Sequence, residues 1–159
     1  MDDRTDTKRA AGQEPARYDR DLYSWAIEQA ALLRAGRVSE ADALNIAEEL
    51  DDVSNEQYDK LESALRVILL HLLKWDYQPS HRSRSWHLSI MAHRRHVLKV
   101  LRKNPGLRSV RDEAVAEAYE DARIEAADQT LLELDVFPLE CPYSFNQIME
   151  RPIDWPLAE

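Results

Sequence analysis

Residues 61–86 read LESALRVILLHLLKWDYQPSHRSRSW, and this stretch decides the fold. From Val67 to Leu73 the chain is apolar almost all round, interrupted only by His71. A helix of that kind is one that others surround, so it marks the centre of a bundle. The stretch then changes character. Pro79 disfavours helical backbone at the residue before it, so the helix is expected to stop there. Around this stop lies a corner of tryptophans and cations: Lys74, Trp75, Tyr77, Gln78, Arg82, Arg84 and Trp86.

Working backwards, the apolar series Tyr58, Leu61, Ala64, Leu65, Ile68, Leu72 and Trp75 holds helical spacing. Ser54 and Gln57 form a capping-box pattern, so the spacing predicts that a new helix begins there. A continuous run is the alternative, since neither Gly nor Pro lies between Asp42 and Gln78. It would be roughly 50 Å long at about 1.5 Å per residue. The preceding helix would open at Ser39 to Asp42 and bury Ala43, Ile46, Ala47, Leu50 and Val53, with Glu48, Glu49, Asp51 and Asp52 outside. A first helix is capped by Asp19 or Asp21, buries Leu22, Trp25, Ile27, Ala30, Leu32 and Leu33, and stops at Gly36.

Working forwards, Trp86, Ile90, Val97 and Leu101, with Met91 and Leu98 beside them, mark a fourth helix whose other faces carry basic residues. Asn104-Pro105-Gly106 ends it. A fifth helix runs from Ser109 or Asp112 to about Gln129, with Val115, Ala118, Tyr119 and Ala122 inside. After it come FPLECPY, a short helix opened by Ser144 with Gln147, and an aromatic tail containing Phe137, Tyr143, Phe145 and Trp155. So aromatic a segment is expected to pack across the bundle. The expected fold is therefore all-α: a single-domain bundle of about five main helices over residues 17–159, preceded by a flexible tail at residues 1–16.

The chain has 159 residues and a net charge of −9, and that charge is segregated. From His81 to Arg111 the basic residues are Arg82, Arg84, Arg94, Arg95, Lys99, Arg102, Lys103, Arg108 and Arg111, with no acid among them. Residues 38–62 and the chain after Arg111 are strongly acidic. No apolar run approaches the roughly 20 residues a bilayer span needs, so no membrane association is expected. The first residues carry no apolar segment of a secretory signal, and Cys141 is the single cysteine. Both point to a cytoplasmic protein.

The chain resembles a bacterial family, domain of unknown function 29. The likeness is carried by Tyr18-Asp19-Arg20-Asp21-Leu22-Tyr23-Ser24-Trp25, Glu28-Gln29-Ala30-Ala31-Leu32-Leu33-Arg34, Glu48-Glu49-Leu50, Leu69-Leu70-His71-Leu72-Leu73-Lys74-Trp75, Gln78-Pro79 and Arg82-Ser83-Arg84-Ser85-Trp86. Ala118-Tyr119, Ala122-Arg123, Phe137-Pro138 and Cys141-Pro142-Tyr143 complete it. The resemblance implies an all-helical fold and brings no catalytic residue. One departure is Leu132-Glu133-Leu134, where a glycine-containing turn is expected.

Several constellations admit chemistry. Glu48 and Asp52 share a helix face and, with Glu49 and a histidine, suit a divalent metal and a hydrolase. The Glu-x-x-His pairs of helical carboxylate metal sites do not occur, however. His93 and His96 are three apart but sit among Arg94, Arg95 and Lys99, which oppose a cation. His71 reads as a hydrogen-bonded core histidine and Cys141 as a packed thiol. The three glycines cannot make a phosphate-binding loop. The corner of Lys74, Trp75, Gln78, Arg82, Arg84 and Trp86 is either a ligand site or an interior brace whose arginines stack on tryptophans and pair with Glu48, Glu49 or Asp52. The leading expectation is a non-enzymatic interaction or adaptor protein without a cofactor, binding a protein partner or a second copy of itself. The rival is nucleic-acid association through the basic face of residues 82–111.

Overall fold

The computed structural model describes residues 17–156, and every regular element among them is helical. The tail expected at residues 1–16 lies outside the described residues. The α-helices are α1 (Leu22–Arg34), α2 (Ala43–Tyr77), α3 (Arg84–Lys103), α4 (Arg111–Thr130) and α5 (Phe145–Glu150). Short 3-10 turns lie at Val38–Glu40, Pro79–His81, Pro105–Val110 and Leu134–Val136. The chain divides into two compact units, one ending at Asp52 and the other beginning at Val53.

In the first unit, Asp21 caps α1 by accepting the Ser24 backbone N–H at 3.0 Å. Gly36 ends the helix at φ +72°, and two bonds complete the stop: Gly36 N to Leu33 O at 3.1 Å and Arg37 N to Leu32 O at 2.9 Å. The start of α2 is set by Asp42 rather than Ser39, since Asp42 Oδ1 accepts from Asn45 N and Asp42 O from Ile46 N. Trp25 packs edge-on to Tyr18 and donates from its indole to Asp42 at 3.3 Å. Among the described residues of this unit only Trp25 is fully buried. The expected inner stripes are thereby corrected: Leu22, Ile27 and Leu33 of α1, and Ala43, Ala47, Leu50 and Val53 of α2, are exposed. Periodicity gives these helices an apolar face that little of the described chain covers.

The break expected at Ser54 is also overturned: α2 is one helix of 35 residues. Once a helix is nucleated, each further residue adds a hydrogen bond at little cost, and residues 43–77 contain no Gly or Pro to interrupt propagation. A polar pair at Ser54 and Gln57 therefore loses to an uninterrupted ladder.

In the second unit the remainder of α2 is the central pillar. Leu61, Leu65, Ile68, Leu69, Leu72 and Leu73 are wholly inaccessible to solvent. Truncating one of them to Ala costs about 2–5 kcal/mol. α4 runs parallel to the pillar, as paired contacts advance together along both helices: Tyr58 with Glu117, Arg66 with Glu125, Lys74 with Gln129, and Gln78 with the Thr130 carbonyl. Its alanines 114, 118, 122 and 126 recur every four residues and are all buried, a ridge small enough for close approach. α3 runs the other way, bringing Asn104 at its end to Gln57 at 3.3 Å. The aromatic tail packs across this unit. Phe137 and Ile148 are buried, Tyr119 donates to the Pro138 carbonyl at 2.6 Å, and Arg94 donates to the Ile148 carbonyl at 2.8 Å. Ser144 and Gln147 form the expected capping box.

Candidate interaction surface

Lys74, Trp75, Gln78, Arg82 and Trp86 do come together at the end of α2. The Lys74 ammonium is buried, lies 4.5 Å from the centre of the Trp86 ring and donates to Gln129 Oε1 at 2.7 Å. Burial pulls its pKa below the usual lysine value. Arg82 stacks 5.2 Å from the centre of the Trp75 ring and donates through Nε to the Trp75 carbonyl at 2.8 Å. That carbonyl belongs to the last turn of α2, where a helix leaves acceptors unpaired. Gln78 donates to the Thr130 carbonyl at 3.0 Å and so ties the end of α2 to the end of α4. Arg84, by contrast, is exposed as the first residue of α3.

Glu48, Glu49 and Asp52 belong to the first unit. Glu49 is half-buried and accepts from the Tyr18 hydroxyl at 2.8 Å. That bond, with burial and the nearby Glu48, pushes the Tyr18 phenol up to about 12. Glu48 and Asp52 are exposed. Among the described residues no group of three or more His, Cys, Asp or Glu is arranged to hold a metal ion. His71 has the expected backbone partner, the Val67 carbonyl at 2.8 Å from Nδ1, and burial lowers its pKa. Cys141 is half-buried, its thiol contacts the Tyr143 carbonyl at 3.5 Å, and burial raises its pKa away from reactivity.

Two arrangements escape the sequence reading. Asp76 accepts two bonds from Arg151, at 2.8 and 2.6 Å, and one from Tyr143 at 2.7 Å, clamping the tail onto α2. Burial works to raise the Asp76 pKa, but these donors and nearby Arg82 hold it below the usual carboxylate value. No spacing rule links residues this far apart in the chain.

The second is the outer face of α3. Ile90, Val97, Val100 and Leu101 turn inward, whereas Leu88, Met91 and Leu98 remain 48%, 51% and 61% exposed. Successive residues step by about 100° around a helix, so these three share one arc with Arg84, Arg95, Lys99 and Arg102. All four cations are exposed. The expectation that Met91 and Leu98 sit beside the core is corrected accordingly. The 4-3 spacing of 84, 88, 91, 95, 98 and 102 in the sequence is the signal that could have shown it. Part of the basic series is committed elsewhere: Arg94 holds the end of α5, and Arg111 lies 4.4 Å from the centre of the Phe145 ring.

The family model described as domain of unknown function DUF29 matches residues 17–153. The chain belongs to this family. Neither the curated proteins nor the solved structures yield a match to this DUF29 chain. The DUF29 match spans both units, and its family description assigns no chemistry. Among the described residues of this DUF29 chain no helix is long and apolar enough to cross a membrane.

Proposed function

We propose that this DUF29 protein is a non-enzymatic interaction module that engages a protein partner through the outer face of α3. One observation carries the reading: three large apolar side chains, Leu88, Met91 and Leu98, stand in solvent on the same arc as four cations. Single exposed apolar residues are ordinary, but three on one arc, interleaved with cations, are the pattern of a recognition surface. The corner of Lys74, Trp75, Gln78, Arg82 and Trp86 is a brace in this reading, because its cations are already occupied by ring faces, an amide and a carbonyl. The unpaired Cys141 is in keeping with a cytoplasmic setting.

The test is capture from lysate by the immobilised full chain, compared with a Met91→Asp/Leu98→Asp variant. Both positions are exposed, so the variant is expected to unfold within about 0.5 kcal/mol of the wild type while losing its retained proteins. An unchanged set of retained proteins contradicts the proposal.

A second reading, nucleic-acid binding through residues 82–111, draws on the acid-free run and on the exposure of Arg95, Lys99, Arg102, Lys103 and Arg108. It predicts a salt slope of about −0.9 per phosphate neutralised. Its measurement is anisotropy of a labelled duplex at several salt concentrations, and affinity unaltered in Arg95→Ala/Lys99→Ala/Arg102→Ala removes it.

A further inference from the structure

We infer that the partner of the α3 face is a second copy of this chain, which presents the acidic N-terminal half of its α2. The inference rests on the interaction reading above and names its occupant.

The face sets the chemistry of what covers it. Leu88, Met91 and Leu98 gain nothing from a phosphate backbone, so a ligand matching the whole stripe needs apolar groups as well as negative charge. An anionic membrane surface offers both, but there a helix keeps its cations on the polar side or at the flanks. Here the helical angles of Arg84, Arg95 and Arg102 fall between those of Met91 and Leu88, in the middle of the apolar arc. Insertion would carry these guanidinium groups into the acyl region with their neighbours. An acidic amphipathic helix avoids that cost, because it sets carboxylates opposite the central cations and small apolar side chains opposite the leucines.

The chain itself carries such a helix. Between Ala43 and Asp59, α2 has no basic residue. Leu44 is 86% exposed, and Ala47, Glu48 and Asp52 are exposed within the same arc of about 140°. The two faces match in kind: cations interleaved with Leu and Met on one, carboxylates with Leu and Ala on the other. Each copy has both, so a two-fold dimer satisfies two identical contacts at once. The same pairing explains how a chain of net charge −9 keeps one helix free of acids.

The experiment is a charge exchange on the full chain, read by sedimentation. One variant is Arg95→Glu/Lys99→Glu and the other Glu48→Lys/Asp52→Lys, all at exposed positions. Each alone is expected to dimerise about ten-fold or more less tightly than the wild type, since like charges then face each other. Mixed, the two regain one native contact and one with its signs reversed, and a heterodimer of near wild-type affinity is expected. Circular dichroism melts confirm that each variant is folded. A wild-type chain monomeric at about 0.2 mM, where an association of about −5 kcal/mol would show, overturns the inference. So do variants that dimerise normally alone, or that fail to restore each other. If the wild type is monomeric yet retains lysate proteins through α3, self-association falls and the interaction reading stands. If it neither dimerises nor retains anything, both fall.

Discussion

At the scale of single residues, two carboxyls respond to pH in opposite senses. Asp76 is held below its usual pKa by Arg151 and Tyr143 against the effect of burial, so its folded form resists protonation. Its contribution is present above the unfolded value and disappears as pH falls through the folded one. Asp76→Asn should cost about 2 kcal/mol at pH 7, the worth of hydrogen bonds to a charged group, and almost nothing in strong acid. Glu62 is the reverse. Burial raises its pKa, Asp121 and Glu117 of α4 add to the rise, and Arg66 opposes it; Oε1 is buried without a hydrogen-bond partner. Ionising it destabilises the fold as pH climbs above the ordinary glutamate range, so Glu62→Gln should raise the melting temperature at pH 7 and leave it unchanged near the acid limit. Melts of both variants across pH check the signs, and a parallel response of the two contradicts this reading. The third residue is Leu131, which ends α4 at φ 60° and ψ 19° while 90% exposed. A left-handed residue with a side chain costs about 1–2 kcal/mol, and glycine returns roughly half of that as chain entropy. Leu131→Gly should therefore stabilise the protein by about 0.5–1 kcal/mol in denaturant titration.

At the scale of elements, most of the fold is legible in the sequence because helix breakers and periodic apolar residues are local signals. Pro79 and Asn104-Pro105-Gly106 end α2 and α3 within a residue or two of the expected places. Gly36 behaves likewise at α1. The expected glycine turn at Leu132-Glu133-Leu134 has its counterpart one residue earlier, where Leu131 adopts the left-handed conformation itself. Continuity at Ser54 is not legible, because a capping box signals only that a helix is able to start. Asn55→Pro separates the alternatives. Proline suits the first residue of a helix capped by Ser54, but inside an unbroken α2 it costs about 3 kcal/mol or more. A clear drop in thermal midpoint is the expected outcome, and near-neutral behaviour would contradict the continuous helix. The outer faces of α1, α2 and α3 are illegible for another reason. Periodicity shows that Leu22, Ile27, Leu50, Met91 and Leu98 belong to an apolar stripe, but it says nothing about what covers that stripe.

At the scale of the whole molecule, segregated charge and uncovered apolar faces belong to one explanation. The acid-free run His81–Arg111 and the acidic run 38–62 are visible in sequence, where they suggest side chains that brace each other within one chain. The structure gives Arg82 and Lys74 partners inside the second unit instead, and leaves Arg84, Arg95, Lys99 and Arg102 in solvent beside Leu88, Met91 and Leu98. Self-association through α3 is what we infer for this surface. Sedimentation velocity of the full chain at low salt, beside Met91→Asp/Leu98→Asp, tests that claim most directly. The account predicts a sedimentation coefficient that rises with concentration for the wild type and falls back when salt shortens the Debye length, with a folded variant that stays monomeric throughout. Identical, concentration-independent sedimentation of the two would contradict it.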